Sequence, residues 1–254
     1  MIIDKPTRSQ IPFLRSIWRE AFGDTEEFLD VFERTAFSVD RCRCVTVDGE
    51  VAAALYWFDC QYMGRRIAYL YAIATAKAYR GQGICHKLME DTHRHLEGLG
   101  YEGAILVPSK RELFEFYKGI GYLTCSHIRE FRCDAAESKI EVREITPCEY
   151  AQLRRSFLPS GAVVQENENL EFLQTQAAFY TGDGFLLAAR GENDTLCGIE
   201  LLGDESAAPK IVRALGCTEG SFRTVGTDVP FAMYRPVSES KLSPPTYFGL
   251  AFDK

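Results

Sequence analysis

An apolar stretch that leads through two glycines directly into an amphipathic stretch restricts the fold of this chain more than any other feature. Residues 69–75 (YLYAIAT) are aromatic, β-branched or small, and they predict a buried strand. From residue 84 onward, apolar or small residues recur at helical spacing, at Ile84, Leu88, Thr92, Leu96 and Leu99. The loop that joins this strand to this helix contains Arg80, Gly81, Gln82 and Gly83.

Two helices and three strands are predicted before this loop. Residues 11–22 place apolar side chains on one helical face, and a second helix is predicted to begin at Thr25. Two strands then flank the dipeptide Asp48-Gly49, which is a strong hairpin signal. Gly64 marks a further turn, so the third strand is expected to run antiparallel to the second.

A strand, a helix and a closing strand are predicted after the glycine loop and its helix. The strand covers residues 103–108, the helix lies within residues 110–122, and the closing strand covers residues 122–133. Two strands joined by a helix imply a right-handed parallel crossover. The predicted fold class is therefore α+β, with a mixed, mostly antiparallel sheet flanked by helices.

The second half of the chain is predicted to form a smaller α+β lobe. The polar residues 134–139 are the expected linker between a first domain, residues 1–133, and a second, residues 140–254. Strands and helices are predicted within residues 140–157, 184–203, 206–217, 221–226, 231–237 and 247–253. This half is interpreted as a diverged, catalytically silent copy of the first half that lacks the glycine loop, or as an unrelated α+β domain.

The composition excludes several classes of protein. The 254 residues carry a formal net charge of −7 with dispersed basic residues, which argues against a nucleic-acid partner. No apolar run is long enough to span a membrane, and the N-terminus does not resemble a signal peptide, so a cytoplasmic protein is predicted. The nine cysteines form no Cys-x-x-Cys pair and are expected to be free thiols rather than metal ligands. The oligomeric state is left open.

Three interpretations of the glycine loop compete. Residues 81–87 do not fit a phosphate-binding P-loop, and a dinucleotide-binding loop would need a third glycine at His86 and a parallel sheet. A tight turn without a ligand is the plain alternative. An anion site is favoured because glycines allow backbone N–H groups to approach a ligand, the helix contributes its positive end, and Arg80 adds a full charge. Such a site suits a pyrophosphate.

Two segments resemble the GNAT superfamily of acyltransferases. TAKAYRGQGIC, residues 75–85, is similar to the family's acetyl-CoA-binding segment, and LFEFYKGIGY, residues 113–122, is similar to its second landmark. The two-lobed arrangement resembles the enhanced-intracellular-survival aminoglycoside acetyltransferases. The resemblance implies acetyl-CoA as co-substrate, no metal, and cofactor contacts from Ile73, Ala74, Thr75, Arg80, Gly81, Gln82, Gly83, Ile84 and Cys85.

The resemblance also implies catalytic roles. Backbone groups of residues 73–75 would hold the pantetheine and polarise the acetyl carbonyl, and Tyr117 would protonate the departing thiolate. Cys85 stands where the family has glycine or alanine, and it is interpreted as a packing residue or as a nucleophile with a lowered pKa. The general base is left open among Tyr71, Glu20, Asp24, water and the terminal carboxylate.

The function predicted from the sequence is an acetyl-CoA-dependent N-acetyltransferase. The acetyl group would move to a primary amine of a small molecule or peptide by direct attack in a ternary complex. The alternative is a non-catalytic acyl-CoA sensor with the same pocket, and a dinucleotide oxidoreductase is a distant third. The identity of the acceptor is left open.

Overall fold

The computed structural model describes residues 1–239 and 242–252 of the chain. Within these residues seven α-helices form: α1 (Ile11–Phe22), α2 (Glu26–Thr35), α3 (Ile84–Gly98), α4 (Arg111–Gly119), α5 (Pro147–Phe157), α6 (Glu168–Gln174) and α7 (Ala208–Ala214). The strands are β1 (Ile2–Asp4), β2 (Cys42–Val47), β3 (Glu50–Tyr62), β4 (Arg65–Thr75), β5 (Gly103–Leu106), β6 (Leu123–Asp134), β7 (Arg143–Ile145), β8 (Val164–Gln165), β9 (Ala178–Gly182), β10 (Phe185–Glu192), β11 (Thr195–Gly203), β12 (Glu219–Val225) and β13 (Val229–Pro236).

All of these strands belong to one sheet. Its order is β1-β2-β3-β4-β5-β13-β6-β12-β11-β10-β9-β7, and β8 pairs with β3 outside this path. The pairs β4–β5 and β11–β12 are parallel, whereas the other pairs are antiparallel. Helices cover the sheet on both sides. The predicted α+β class with a mostly antiparallel sheet is confirmed.

The elements around the glycine loop form where the sequence predicts them. Asp48 and Gly49 have φ angles of 50° and 91°, which are the left-handed values that the turn of a two-residue hairpin requires. Helix α3 begins at Ile84, directly after the second loop glycine. Strand β1 was not predicted, because three residues are too few to show a period.

The order of elements in the second half follows that of the first. Each half contains a short strand, two helices, three antiparallel strands, a helix and two further strands, although α4 has no counterpart after β12. The short strands β1 and β7 pair antiparallel with β2 and β9 in the same way. The two halves exchange their last strands, since β13 lies between β5 and β6, and β6 pairs with β12.

One apolar cluster joins the two halves on one face of the sheet. It contains side chains of α1, α2, α5 and α6 together with residues 247–252, while α3 and α4 pack in a second cluster and α7 in a third. The strand expected at residues 247–253 is wrong for residues 247–252: residues 248–252 are an irregular segment, and Tyr247 forms only an isolated bridge with Ala162. Asp253 lies outside the described residues. The segment buries Phe248 and Leu250 completely, and burial alone does not require a strand.

A buried ion pair of the second half is hydrogen-bonded to Tyr247, the first residue of this segment. Arg154 of α5 and Glu200 of β11 form a bidentate ion pair with N···O distances of 2.7 and 2.8 Å, and both residues are almost fully buried. Tyr150 and Tyr247 donate hydrogen bonds to the two oxygens of Glu200 at 2.8 and 3.0 Å. Because every lone pair of this carboxylate faces a donor, the buried charge is compensated. No helix formed by the described residues is long and apolar enough to cross a membrane.

Candidate functional site

The parallel strands β4 and β5 separate part of the way along their length. They pair only from Ile67 with Gly103 to Tyr69 with Ile105, while the other edge of β5 pairs with β13 along its whole length. From residue 70 onward, no described strand pairs with the edge of β4 that faces β5. The backbone groups of residues 72–74 that point to this edge have no strand partner among the described residues, so they could bind a ligand that lies between the strands.

A β-bulge marks the strand at the point where it separates. Ala54 pairs with Ala74 and Tyr56 pairs with Tyr71, so that two residues of β4 lie opposite one residue of β3. One of the two, Ala72, has a φ of 48°, a left-handed value that is uncommon for a residue other than glycine. Bulges re-aim backbone groups, and such strain is concentrated at functional sites.

The glycine loop lies at the C-terminal end of this edge. Gly81 and Gly83 have φ angles of 76° and 73°, and Gly83 is the residue that precedes the first turn of α3. A Cβ atom built on either glycine would meet no other atom within 4 Å. The loop therefore borders open space, and only glycine adopts these conformations without strain.

Arg80 and Gln82 are exposed and are tied back to the loop itself. The Arg80 Nε donates a hydrogen bond of 2.9 Å to the carbonyl of Thr75, and the Gln82 side chain donates one of 3.2 Å to the carbonyl of Ala78. Glu20 of α1 lies 3.6 Å from the Arg80 guanidinium and also accepts a hydrogen bond from the backbone of Lys77. Glu20 thus supports the loop.

The predicted residues Thr75, Cys85 and Tyr117 are brought together behind the loop. The Cys85 thiol lies close enough to the Thr75 side chain for Thr75 to affect the pKa of Cys85, and close enough to Tyr117 to affect the pKa of Tyr117. Burial raises the pKa of Cys85 to about 11, and the contact with Thr75 offsets only part of this effect. The lowered pKa considered for Cys85 is therefore wrong, because loss of solvation outweighs the helix N-terminus.

Tyr117 is buried, with 7% of its surface exposed. Its ring lies 5.2 Å from that of Phe116 and 5.9 Å from that of Tyr122. Burial first, and then the nearby Cys85, hold the pKa of Tyr117 well above the usual value for tyrosine. The phenol therefore remains protonated at every pH at which the protein would work, and it could act only as an acid or a hydrogen-bond donor.

Aromatic side chains cover the opposite side of β4. Tyr71 has ring contacts with Trp18 at 5.6 Å, with Phe172 at 6.2 Å and with Phe252 at 5.6 Å. The Tyr71 hydroxyl donates a hydrogen bond of 3.2 Å to the carbonyl of Phe252. Both halves of the chain therefore contribute side chains to this side of β4.

The candidates for the general base differ in their surroundings. Asp24 is a buried carboxylate that accepts a hydrogen bond of 2.8 Å from the indole of Trp18, whereas Glu20 is engaged at the glycine loop. Tyr71 is half-buried and bonded to the final segment. Asp253 and Lys254, considered with the terminal carboxylate, lie outside the described residues.

The corresponding place in the second half has a different geometry. There β11 and β12 pair at residues 195–198, and pairing resumes at Leu201 beyond the bulge, so the strands stay together. The loop before α7 carries Asp204 and Glu205 instead of Arg80 and glycines. Asp204 caps the backbone of Ser206 at 2.9 Å. Two carboxylates at this position would repel a pyrophosphate.

The sequence interpretation missed two parts of this region. The bulge at Ala72 left no signal, because its residue types are those of an ordinary strand. The packing of Phe252 against Tyr71 joins residues that are far apart in the chain, and no local pattern predicts such a contact. Among the described residues, no group of three or more His, Cys, Asp or Glu side chains could hold a metal ion.

Comparisons with known proteins agree with the geometry of the first half. Residues 3–125 match a family model described as an acetyltransferase (GNAT) domain. No curated protein sequence matches the chain.

Similar solved structures cover both halves of the chain. They include a GCN5-related N-acetyltransferase from Kribbella flavida, with a TM-score of 0.72, 18% identity, and coverage of 92% of this chain and 70% of that one. Eis1 from Mycobacterium abscessus has a TM-score of 0.68 and 13% identity, with coverage of 93% and 74%. A GCN5-related N-acetyltransferase from Anabaena variabilis has a TM-score of 0.71 and 16% identity, with coverage of 93% and 73%. At such identities the likeness concerns the fold.

Proposed function

We propose that this chain transfers an acetyl group from acetyl-CoA to a primary amine of a small molecule or peptide, in keeping with the match of residues 3–125 to the model of an acetyltransferase (GNAT) domain. One observation carries the proposal: β4 and β5 separate beyond Tyr69, and the separated edge leads to Gly81 and Gly83 at the start of α3. An extended thioester with a pyrophosphate at one end has the shape and charge that suit this edge and loop.

The residues around the loop fit acetyl-CoA. The space beside Gly81 and Gly83 is open, and the first turn of α3 presents unpaired backbone N–H groups to it. Arg80 and Gln82 would flank the pyrophosphate, with Ile84 and Cys85 in the first helical turn behind it. Ile73, Ala74 and Thr75 would hold the pantetheine along the free edge of β4. When bound, acetyl-CoA supplies an acetyl group activated as a thioester.

Two features of the chain would promote transfer. The bulge at Ala72 would turn backbone groups of β4 towards the gap beside β5, where N–H donors would stabilise negative charge that develops on a carbonyl oxygen. Tyr117 keeps its proton at neutral pH and would give it to the departing thiolate. The amine would approach from the aromatic side of β4, next to Tyr71, and attack in a ternary complex.

The second half is proposed to be a diverged copy without a cofactor site. Its element order follows that of residues 1–133, but β11 and β12 remain paired on both sides of their bulge. Acids replace the basic glycine loop before α7. In this proposal residues 140–254 shape the acceptor side through Phe172 and Phe252 and take no part in acetyl-CoA binding.

The structure also contains one observation that favours the alternative, a non-catalytic acyl-CoA sensor. The final segment packs Phe248 against Tyr69 at 4.8 Å and bonds Phe252 to Tyr71, so it occupies part of the face that an amine must reach. A sensor would bind acetyl-CoA without turnover. A cytoplasmic location is proposed in both cases, because all nine cysteines are free thiols, as is typical of a reducing compartment.

Thermal unfolding with acetyl-CoA, coenzyme A, NAD and ATP tests the proposal first. A ligand at about 100 times its Kd stabilises the fold by about 2.7 kcal/mol, which shifts the melting temperature measurably. Stabilisation by the two coenzyme A species alone, followed by acetylation in a screen of amines, would support the enzyme. Binding without any turnover would favour the sensor. No stabilisation of a folded protein by either species would exclude both.

A further inference from the structure

A pocket of about 460 Å³ opens on the sheet in the second half of the chain, away from the separated strands β4 and β5. We propose that this pocket is a binding site for a small polyanion, a molecule with two or more phosphate or carboxylate groups. Its walls come from β6, β10, β11 and β12, and its volume lies in the range of small-molecule sites. The argument uses neither the glycine loop nor the acetyltransferase activity.

Strand register places the polar residues of the pocket in one row. Arg190 of β10 pairs with Cys197 of β11, Cys197 with Ser221 of β12, and Ser221 with Arg132 of β6. Residues paired in register point to the same side of a sheet, so the two arginines rise at the ends of this row. With strands about 4.8 Å apart, their Cα atoms lie roughly 14 Å from each other across three strand spacings.

A third arginine stands in the next row of the same face. Arg223 pairs with Glu130 in register, and their side chains form an ion pair with an N···O distance of 3.3 Å. The Arg223 guanidinium also lies 5.4 Å from the ring centre of Phe231. The pocket therefore contains three arginines and one glutamate, although the whole chain carries a net charge of −7.

This charge pattern selects an anion. Guanidinium groups bind phosphate and carboxylate oxygens through two parallel hydrogen bonds. Arg190 and Arg223 are half-buried and lose less of this strength to solvent than Arg132, which is exposed. Among the ion pairs of residues 1–239 and 242–252, none involves Arg132. Arg132 and Arg190 lie at opposite ends of the pocket, separated by roughly the length of a small molecule. This arrangement suits a ligand that has an anionic group at each end and lies over Ser221 and Ile199.

The pocket is distinct from the proposed acetyltransferase site. It lies on β11, β12 and β6, whereas the proposed acetyl-CoA site lies on β4 and the loop before α3. Four strand spacings, roughly 19 Å, separate β4 from β12 in the sheet. Phe248 and Phe252 pack against Tyr69 and Tyr71 of β4, and none of these four residues lines the pocket.

Calorimetric titration with inorganic pyrophosphate, and separately with citrate, tests the proposal on the full chain. We expect at least one of the two anions to bind, with an affinity that falls as salt is added. The double variant Arg132→Gln/Arg190→Gln should weaken that binding by about tenfold or more. Arg129→Gln is the matched control, because Arg129 lies on the opposite side of β6 and pairs with Glu205 at 2.7 Å. It should leave the affinity unchanged.

Two further variants make the outcome decisive. Glu130→Gln removes the acid that lines the pocket among the described residues and should tighten binding by about threefold, a gain that misfolding cannot produce. Arg80→Gln separates the pocket from the glycine loop, because pyrophosphate binding at the pocket should survive it. Pyrophosphate binding alone would indicate a phosphate ligand, and citrate binding alone a carboxylate ligand. Binding of neither anion, or equal binding by the double variant, would overturn the proposal.

Discussion

Gly83 shows how one residue can couple backbone conformation to ligand access. Its φ of 73° lies in the left-handed region, and the space that a side chain would fill is open. A side chain at this position would therefore do two things at once. It would strain the backbone at the start of α3, and it would project into the space where a phosphate is proposed to lie.

The substitution Gly83→Val is expected to weaken acetyl-CoA binding by about tenfold or more, because a β-branched residue is strained at this φ and blocks close approach of the phosphates. The measurement is calorimetric titration of the folded variant with acetyl-CoA. Gly64→Val is the matched control, since Gly64 has the same φ of 73° and open surroundings in the turn between β3 and β4. Equal affinities of the two variants would remove the loop from the site.

Tyr117→Phe is expected to lower kcat by about 10²- to 10⁴-fold while acetyl-CoA affinity changes little, because only the phenolic proton is lost. Because the pKa of Tyr117 is raised, its hydroxyl stays protonated at pH values at which an ordinary tyrosine ionises. Turnover should therefore not fall as the pH rises towards 10. Steady-state kinetics with acetyl-CoA and an accepted amine measure both effects.

Tyr79→Phe provides the control for this experiment. Tyr79 lies just before the glycine loop, and its hydroxyl donates a hydrogen bond of 2.7 Å to Glu50 on the surface. We expect its turnover to match that of the wild type. If Tyr117→Phe also turns over at the wild-type rate, Tyr117 is a core residue and the proton comes from elsewhere.

At the scale of elements, α3 is fastened to the sheet by a buried polar contact as well as by apolar packing. His93 of α3 and the hydroxyl of Tyr122 lie 2.7 Å apart, and the two residues are buried. Burial, and then the positive charge of Arg235, lower the pKa of His93 to about 3. The imidazole is therefore neutral in the folded protein at physiological pH.

This pKa predicts how stability depends on pH. The unfolded chain binds a proton at His93 near pH 6.5, whereas the folded chain binds it only near pH 3, so acid favours the unfolded state. Between these two pH values, protonation of His93 in the unfolded chain should lower the free energy of unfolding by up to about 1.4 kcal/mol for each unit by which the pH is lowered. Urea unfolding at pH 7, 6 and 5 measures the slope.

The variant His93→Gln isolates this contribution from that of the carboxylates. It retains a polar side chain but cannot titrate, so its stability should fall less steeply than that of the wild type below pH 6.5. His86→Gln serves as the exposed control, because His86 lies on the surface of the same helix and contacts Glu90. Identical slopes for the wild type and His93→Gln would contradict the burial argument.

At the scale of the whole molecule, neither half has a complete sheet of its own. Strand β13 from the second half pairs with β5 and β6 of the first, and β6 of the first half pairs with β12 of the second. A shared apolar cluster also crosses from α1 and α2 to α5 and α6. The proposed acetyl-CoA site therefore depends on a strand that lies outside the segment matched by the family model.

A truncated chain of residues 1–139 is consequently expected to lose cooperative unfolding and to aggregate, because β5 would keep an unpaired edge and the cluster would be cut open. Circular dichroism during heating and size-exclusion chromatography measure this. Co-expression of residues 140–254 as a separate chain is the control, and it should restore a soluble complex. A monomeric, cooperatively folded 1–139 fragment that binds acetyl-CoA would refute this account of the fold.

The elements of the first half and the loop at its centre could be predicted from the sequence. Apolar residues recur with a period of two in strands and 3.6 in helices, and Asp48-Gly49 and residues 80–83 indicate turns. These signals can be recognised in the sequence because they depend only on residues that are close together in the chain. The prediction of a strand is wrong at residues 247–252 for the same reason. The apolar residues of this segment are buried by tertiary packing, and a local pattern does not distinguish that burial from burial in a sheet.

The chemistry of the candidate site was predicted less completely than its position. A cysteine at a helix N-terminus suggests a lowered pKa, but the pKa of Cys85 is raised to about 11 because neighbouring side chains exclude water from the thiol. The bulge at Ala72 depends on how β4 pairs with β3. Neither desolvation nor strand register can be read from residues adjacent in the chain.

The sequence by itself determined the secondary structure of the first half, the α+β class and the position of the glycine loop. These follow from short-range forces: backbone sterics at glycine, helix capping and the spacing of apolar residues. Only the tertiary structure decided the exchange of β6 and β13, the opening between β4 and β5, and the arginine-lined pocket. Each of these depends on hydrogen bonds and charges between residues far apart in the chain, whose contacts exist only once the whole sheet has formed.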